Sequence, residues 1–219
     1  MTGFGFETPP QRQGSRKLVV VSAGLSQPSS TRLLADRLGH ATLDRLAERG
    51  VDAELEVFEL RDLAHDITNN LLTGFASPKL QQALDAVAES DGLIAVTPIF
   101  TTSYSGLFKS FVDVIEPTAL TDLPVLIGAT GGTERHSLAL DYAIRPLFSY
   151  LHAIVVPTGV YAASGDWGSG TDATALPDRI GRAAGELAAL VRDSDRSASV
   201  RDPFALPKGF SPTGGFGAQ

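Results

Sequence analysis

The strongest constraint on this chain is a repeated pairing of two patterns. Short apolar runs rich in β-branched residues, at 17–22, 92–97, 125–130 and 153–156, are separated by stretches with helical spacing. A strand that alternates apolar and polar residues buries one face, whereas a run without polar breaks must be covered on both. A further segment, 51–60, alternates: Leu55, Val57 and Phe58 mark a strand less buried than the others. Between the runs, apolar residues recur at i, i+3 and i+4. Leu43, Leu46 and Ala47 belong to a helix that reaches Arg49 and stops at Gly50. Leu80, Ala83, Leu84 and Val87 mark a helix over 78–89, with Pro78 in its first turn. Further helices are predicted over 104–115, 138–151 and 175–193, and residues 61–77 read as a long loop or a short helix.

Strands alternating with helices predict an α/β protein with a doubly wound parallel sheet. With five strands, the leading topology is a flavodoxin-like three-layer sandwich of order 2-1-3-4-5. One domain is expected over 17–194, with flexible tails at 1–16 and 195–219, where Gly, Pro and Ser accumulate without a period. Composition narrows the chemistry. The 219 residues include no cysteine, which excludes disulfides, thiolate zinc sites, iron–sulfur clusters and a catalytic thiol. Four scattered histidines argue against a metal centre. Eighteen Lys and Arg against 25 Asp and Glu leave a formal charge of −7, which disfavours a nucleic-acid surface. No membrane span or secretory signal is expected, so the expected location is cytoplasmic.

In open α/β sheets, ligands bind at the carboxyl ends of the strands. Three such loops stand out. The first runs from Ser22 to Thr31 and includes Gly24, Ser26, Ser29 and Ser30 just before a helix. Free amides and a positive helix end there suit a phosphate, and the hydroxyls would add donors. Plain N-capping by Ser29 or Ser30 is the alternative. The loop is neither a nucleotide-triphosphate loop nor a dinucleotide fingerprint. The second loop holds Pro98, Ile99, Phe100, Thr101, Ser103 and Tyr104. Pro98 is read as closing the strand, and Gly106 as a position where a side chain would obstruct. Its amides and aromatics could flank a flat heteroaromatic ring, or form only a tight turn with the aromatics in the core. The third loop, Thr130, Gly131 and Gly132, permits close backbone approach to a ligand or makes an ordinary turn. Arg135 and His136 follow it; for His136 a place at a helix start or an interface is favoured over acid–base work. Loops after the first, third and fourth strands would be neighbours, and together they describe a mononucleotide site.

The stretches 98–109 (PIFTTSYSGLFK), 129–133 (ATGGT) and 140–146 (LDYAIRP) resemble the NAD(P)H-dependent FMN reductases, especially the flavin reductases of two-component, luciferase-like monooxygenase systems such as those of alkanesulfonate desulfonation. The resemblance spans about 17–194. It implies FMN and NAD(P)H as cofactors, with hydride passing from nicotinamide C4 to flavin N5 and no indispensable catalytic side chain. It puts the FMN phosphate on Ser26, Ser29, Ser30 and Thr31, the ring and ribityl chain on 98–104, and the pyrimidine edge on 130–132. Relatives commonly begin the phosphate loop G-S-x-R. This chain reads Ala23-Gly24-Leu25-Ser26-Gln27, and the arginine is missing. The resemblance also implies a homodimer or homotetramer and delivery of reduced FMN to a partner monooxygenase. A reductase of quinones or azo compounds that keeps its FMN, and a non-enzymatic flavodoxin-like carrier, are the alternatives. A response-regulator receiver is excluded, because Ser22-Ala-Gly and Thr97-Pro98 stand where it needs carboxylates. The sequence leaves open NADH against NADPH and the roles of His136, Tyr142 and Trp167. The 61–77 segment and Trp167 are candidates to close over the site.

Overall fold

The uninterrupted apolar runs become central strands because they lie between two helical layers and meet apolar surface on both sides. The structure, a computed structural model, describes residues 15–167, 175–194 and 196. The tails expected at 1–16 and 195–219 therefore lie outside the described residues, apart from Ser15, Arg16 and Arg196. Strand β1 (Arg16–Ser22) starts one residue before the domain boundary drawn from the sequence. It is followed by α1 (Ser30–Ala47), β2 (Ala53–Glu59), α2 (Ala64–Thr73) and α3 (Pro78–Glu89). Then come β3 (Gly92–Phe100), β4 (Ser103–Tyr104), α4 (Gly106–Asp113) and β5 (Pro124–Gly131). The chain continues through α5 (Arg145–Tyr150), β6 (Ile154–Val155), β7 (Val160–Ala163) and α6 (Ala175–Asp193).

The parallel sheet runs β2-β1-β3-β5-β6, with β4 antiparallel to β3 and β7 parallel to β5. Strands β6 and β7 pair with the start and the end of β5, so they are two halves of one interrupted fifth strand. With the β4 hairpin set aside, the order is the expected 2-1-3-4-5. The expected count of five strands becomes seven for two local reasons. At 157–159 the fifth strand breaks, where Pro157 has no N–H for the ladder. Arg145 donates to the Val156 and Pro157 carbonyls, and Glu186 accepts from the Thr158 amide, so the broken ladder keeps partners. The second reason is β3, which Pro98 does not close. The strand runs on to Phe100 and folds back through Thr101 and Thr102, both at positive φ, to pair Ile99 with Tyr104.

Tyr104, predicted to open a helix, thus lies in β4. Helix α4 starts at Gly106 behind its cap Ser105, whose hydroxyl accepts from the Phe108 amide. A side chain at Gly106 would meet open space, so no obstruction requires that glycine. The predicted helix 138–151 is divided into a wide π turn over Leu140–Ile144 and α5. The 61–77 segment is mostly helical, with a 3-10 turn at Leu60–Leu63 leading into α2.

Residues alternate sides along the central strands. Val19, Val21, Leu93, Ala95, Val125 and Ile127 pack toward α2, α3, α4 and α5, where Phe108, Phe111 and Phe148 fill the layer. Leu18, Val20, Ile94, Val96 and Leu126 pack toward α1 and α6, against Leu34, Leu38, Ile180 and Leu187. Strand β2 is an edge, and its exposed Glu54 and Glu56 account for its alternating sequence. At the amino-terminal pole of the sheet, Arg16 bonds Asp91 at 3.3 Å and the Arg192 carbonyl at 2.8 Å. There Arg196 donates to the carbonyls of Ala88, Ser90, Ala119 and Thr121, which fastens the chain after α6 to the same pole.

Candidate functional site

A cleft of about 450 Å³ opens at the opposite pole, at the carboxyl ends of the strands. Its wall combines the loop after β1 (Leu25, Ser26), the first turn of α1 (Ser30, Thr31), the end of β3 (Pro98, Ile99, Phe100) and the end of β5 (Thr130, Gly131, Gly132). Nine of the residues singled out in the sequence therefore share one cavity. Leu25, Ser164 and Trp167 complete it. A second cleft, of about 690 Å³, lies between β2 and α3 among Lys17, Glu54, Glu56 and Asp85, away from these strand ends.

The loop after β1 is shaped by its glycine. A methyl group at Gly24 would stand 2.0 Å from Ser29 Oγ, so the serine side chain occupies the space above it. There Ser29 Oγ accepts from the Arg32 amide at 3.2 Å and caps α1. The capping alternative thus holds for Ser29, while the first amides of α1, at Ser30 and Thr31, have no acceptor within the helix. Those amides and the exposed Ser26 and Ser30 side chains give the cleft a donor-rich end that fits a phosphate. Thr31 is buried, and its hydroxyl bonds that of Thr130 at 2.8 Å, joining α1 to β5 across the floor. Ser22 is fully buried on the α1 side, with no hydrogen-bond partner for its hydroxyl, and it does not reach the cleft.

The cation that the loop lacks is supplied from elsewhere in the chain. Arg32 is engaged with Asp36 at 2.7 Å and Glu59 at 2.8 Å, and these carboxylates raise its pKa against the opposing effect of burial. Arg61, in the turn after β2, lies against the loop, with its guanidinium 3.5 Å from the Ser26 carbonyl. The Gln27 side-chain oxygen, with the amide turned to satisfy both groups, accepts from the same guanidinium. Glu59 and Asp62 flank Arg61 at 3.6 and 3.5 Å.

The β3–β4 hairpin forms the apolar end. Phe100 is 47 % exposed and Leu25 is 52 % exposed, so the mouth is open and apolar. Thr101, Ser103 and Tyr104 fall beyond the lining, and the Tyr104 ring packs against Phe108 at 6.0 Å. At Gly131 a methyl group would meet the Tyr161 hydroxyl at 2.1 Å, and that hydroxyl donates to the Thr133 carbonyl at 2.8 Å. Burial first, then Glu134 and Asp166, raises the Tyr161 pKa above its ordinary value. Arg135 and His136 are exposed in a 3-10 turn and do not line the cleft.

Ser164 and Trp167 were not legible as site residues because the strand that delivers them, β7, follows the break at Pro157. The only prior signal was a lone tryptophan in a polar loop. Trp167 packs partly against the α1–α6 layer, with the Arg37 guanidinium over its ring at 5.1 Å. Asp166 accepts from the Ala163 amide at 2.7 Å and from Arg179 at 2.6 Å.

This topology and cleft define a parallel α/β protein of the flavodoxin-like class. A model of the NADPH-dependent FMN reductases matches residues 16–168. The chain is 42 % identical over 153 residues to an FMN reductase (NADPH) of Pseudomonas aeruginosa, covering 69 % of this chain and 78 % of that one. It is 38 % identical over 156 residues to the NADH-dependent FMN reductase SfnF of Pseudomonas fluorescens, again covering 69 % and 78 %. Among solved structures, an oxidoreductase from Corynebacterium diphtheriae is similar with a TM-score of 0.80 and 47 % identity, covering 82 % of this chain and 98 % of that one. The chain belongs to the NADPH-dependent FMN reductase family, as the resemblance implied. Membership makes it an oxidoreductase with FMN and NAD(P)H as cofactors. Among the described residues, no helix is long and apolar enough to cross a membrane.

Proposed function

We propose that the cleft binds FMN with its phosphate at the first turn of α1 and its ring along the β3–β4 hairpin. One observation carries this reading: the donor-rich loop, the apolar hairpin and the Gly–Gly strand end line one cavity of about 450 Å³, within the usual range for small-ligand sites of roughly 300–1,000 Å³. Ser26, Ser30 and the first amides of α1 hold the phosphate, and Ser29 keeps that turn formed. Pro98, Ile99 and Phe100 support the ring from one side, while Thr130, Gly131 and Gly132 approach its pyrimidine edge. When bound, the flavin supplies the redox chemistry, accepting a hydride from the nicotinamide. The protein contributes orientation and fixed donors rather than a proton-transfer side chain.

The open mouth supports a second part of the proposal, that reduced FMN leaves for a partner flavin-dependent monooxygenase in the same cytoplasmic compartment. A self-associated form, dimer or tetramer, is favoured by exposed apolar side chains around the π turn and α5, where Leu138 is 61 %, Tyr142 79 % and Tyr150 80 % exposed. The test is a titration of the purified chain with FMN, followed by NAD(P)H oxidation with and without added free FMN. Saturable FMN binding with strong stimulation by free FMN is expected. Tightly retained flavin with quinone turnover would point to the acceptor reductase instead, and FMN binding without NAD(P)H oxidation to a carrier.

A further inference from the structure

Trp167 occupies a position that the redox reaction itself does not require. It lines the cleft together with Ser26, Ser30 and Thr31, the residues at the phosphate end. Arg37, stacked on its ring, lies seven residues beyond Ser30 on α1, about 10 Å along the helix axis. The indole therefore stands beside α1 behind the donor-rich turn, away from the Phe100 hairpin. Both of its supports are firm. The ring is sandwiched between the Arg37 cation and the apolar layer under α1 and α6. The preceding residue, Asp166, ties the turn to β7 through the Ala163 amide and to α6 through Arg179.

A flavin mononucleotide ends at its phosphate, whereas a flavin dinucleotide continues from that phosphate into a pyrophosphate and an adenosine. A wall behind the phosphate that is clamped on two sides leaves the first ligand untouched and obstructs the second. We propose that Trp167 is a specificity-determining residue that restricts the cleft to flavin mononucleotides and rejects dinucleotides. The inference rests on the FMN reading above.

The test compares equilibrium affinities for FMN and FAD in the full chain, in Trp167→Ala and in Trp167→Leu. The leucine variant keeps apolar packing beneath the wall if alanine does not fold. Tight FMN binding and weak FAD binding are expected for the unaltered chain. The substitutions are expected to narrow the ratio about tenfold, chiefly by strengthening FAD, as removal of a steric block does. Trp167 is the sole tryptophan, so its emission in the unaltered chain should also be quenched as FMN saturates. Equal affinity of the unaltered chain for both flavins, or a ratio unmoved in a folded variant, overturns the inference and leaves FMN binding standing. Failure of the unaltered chain to bind either flavin overturns the FMN reading itself.

Discussion

The Gly24–Ser29 contact can be tested as a coupled pair. An alanine at position 24 would bring its methyl within 2.0 Å of Ser29 Oγ and 3.1 Å of Ser29 Cβ and Thr31 Cβ. Rotation of the serine relieves the closest contact, but it withdraws the oxygen that caps the Arg32 amide. Gly24→Ala should therefore cost roughly what loss of the cap costs, about 1 kcal/mol. Ser29→Ala removes the same cap directly and should cost a similar amount. In the double variant the obstructing oxygen is gone before the methyl arrives. Its loss should lie close to that of either single change, a coupling of about 1 kcal/mol, where distant sites add to within about 0.5. Thermal melts followed by circular dichroism are the assay. Each single variant should melt about 2–4 °C lower, as expected for a domain of this size, and the double variant hardly lower still. Fully additive losses would refute the argument, because Gly24→Ala would then be acting somewhere other than on the cap.

Other predictions concern charge, pH and assembly. Arg61→Gln should weaken FMN binding about fivefold, the order expected for a partly exposed ion pair of about 1 kcal/mol. Riboflavin, which lacks the phosphate, should bind as before in calorimetric titrations; equal losses for both would mean that Arg61 only shapes the loop. Burial, helped by Glu134 and Asp166, raises the Tyr161 pKa, so the folded chain holds that proton more firmly than the unfolded chain. The associated stability is complete below the unfolded value of about 10 and is lost as pH rises through the folded one. The melting temperature should fall above about pH 10, and less steeply in Tyr161→Phe. Light scattering should give a multiple of the 23.0 kDa chain mass, and Leu138→Asp with Tyr150→Glu should lower it; a monomeric mass for the unaltered chain would remove that part of the proposal.

The sequence was most informative where a pattern had one physical solution. Runs such as Leu93–Val96 have no polar break, so they had to be covered on both sides, and the order of the central strands followed. Ser26, Ser30 and the Gly131–Gly132 pair could be placed in the site because strand ends in such sheets converge. Legibility failed where tertiary contacts overrode local signals. Pro98 can remain in β3 because the strand only has to continue as one arm of a hairpin. Thr101 and Thr102 make that hairpin with backbone angles that no glycine advertises. Ser22 and Thr31 belong to the right loop, but the sequence does not reveal that Ser22 is buried or that Thr31 bonds Thr130. Trp167 was out of reach because its strand resumes only after an interruption repaired by Arg145 and Glu186, far away in the chain.

The clamps at the amino-terminal pole have a practical consequence. Arg16 and Arg196 hold the two ends of the domain on one side of the sheet, and the cleft opens on the other. A surface anchor or reporter joined at Ser15 or Ser194 would be separated from the flavin site by the length of a strand, about 20 Å for β1. Immobilisation from that side would leave the mouth facing solution, where exchange of flavin with a second enzyme could be timed on a sensor surface.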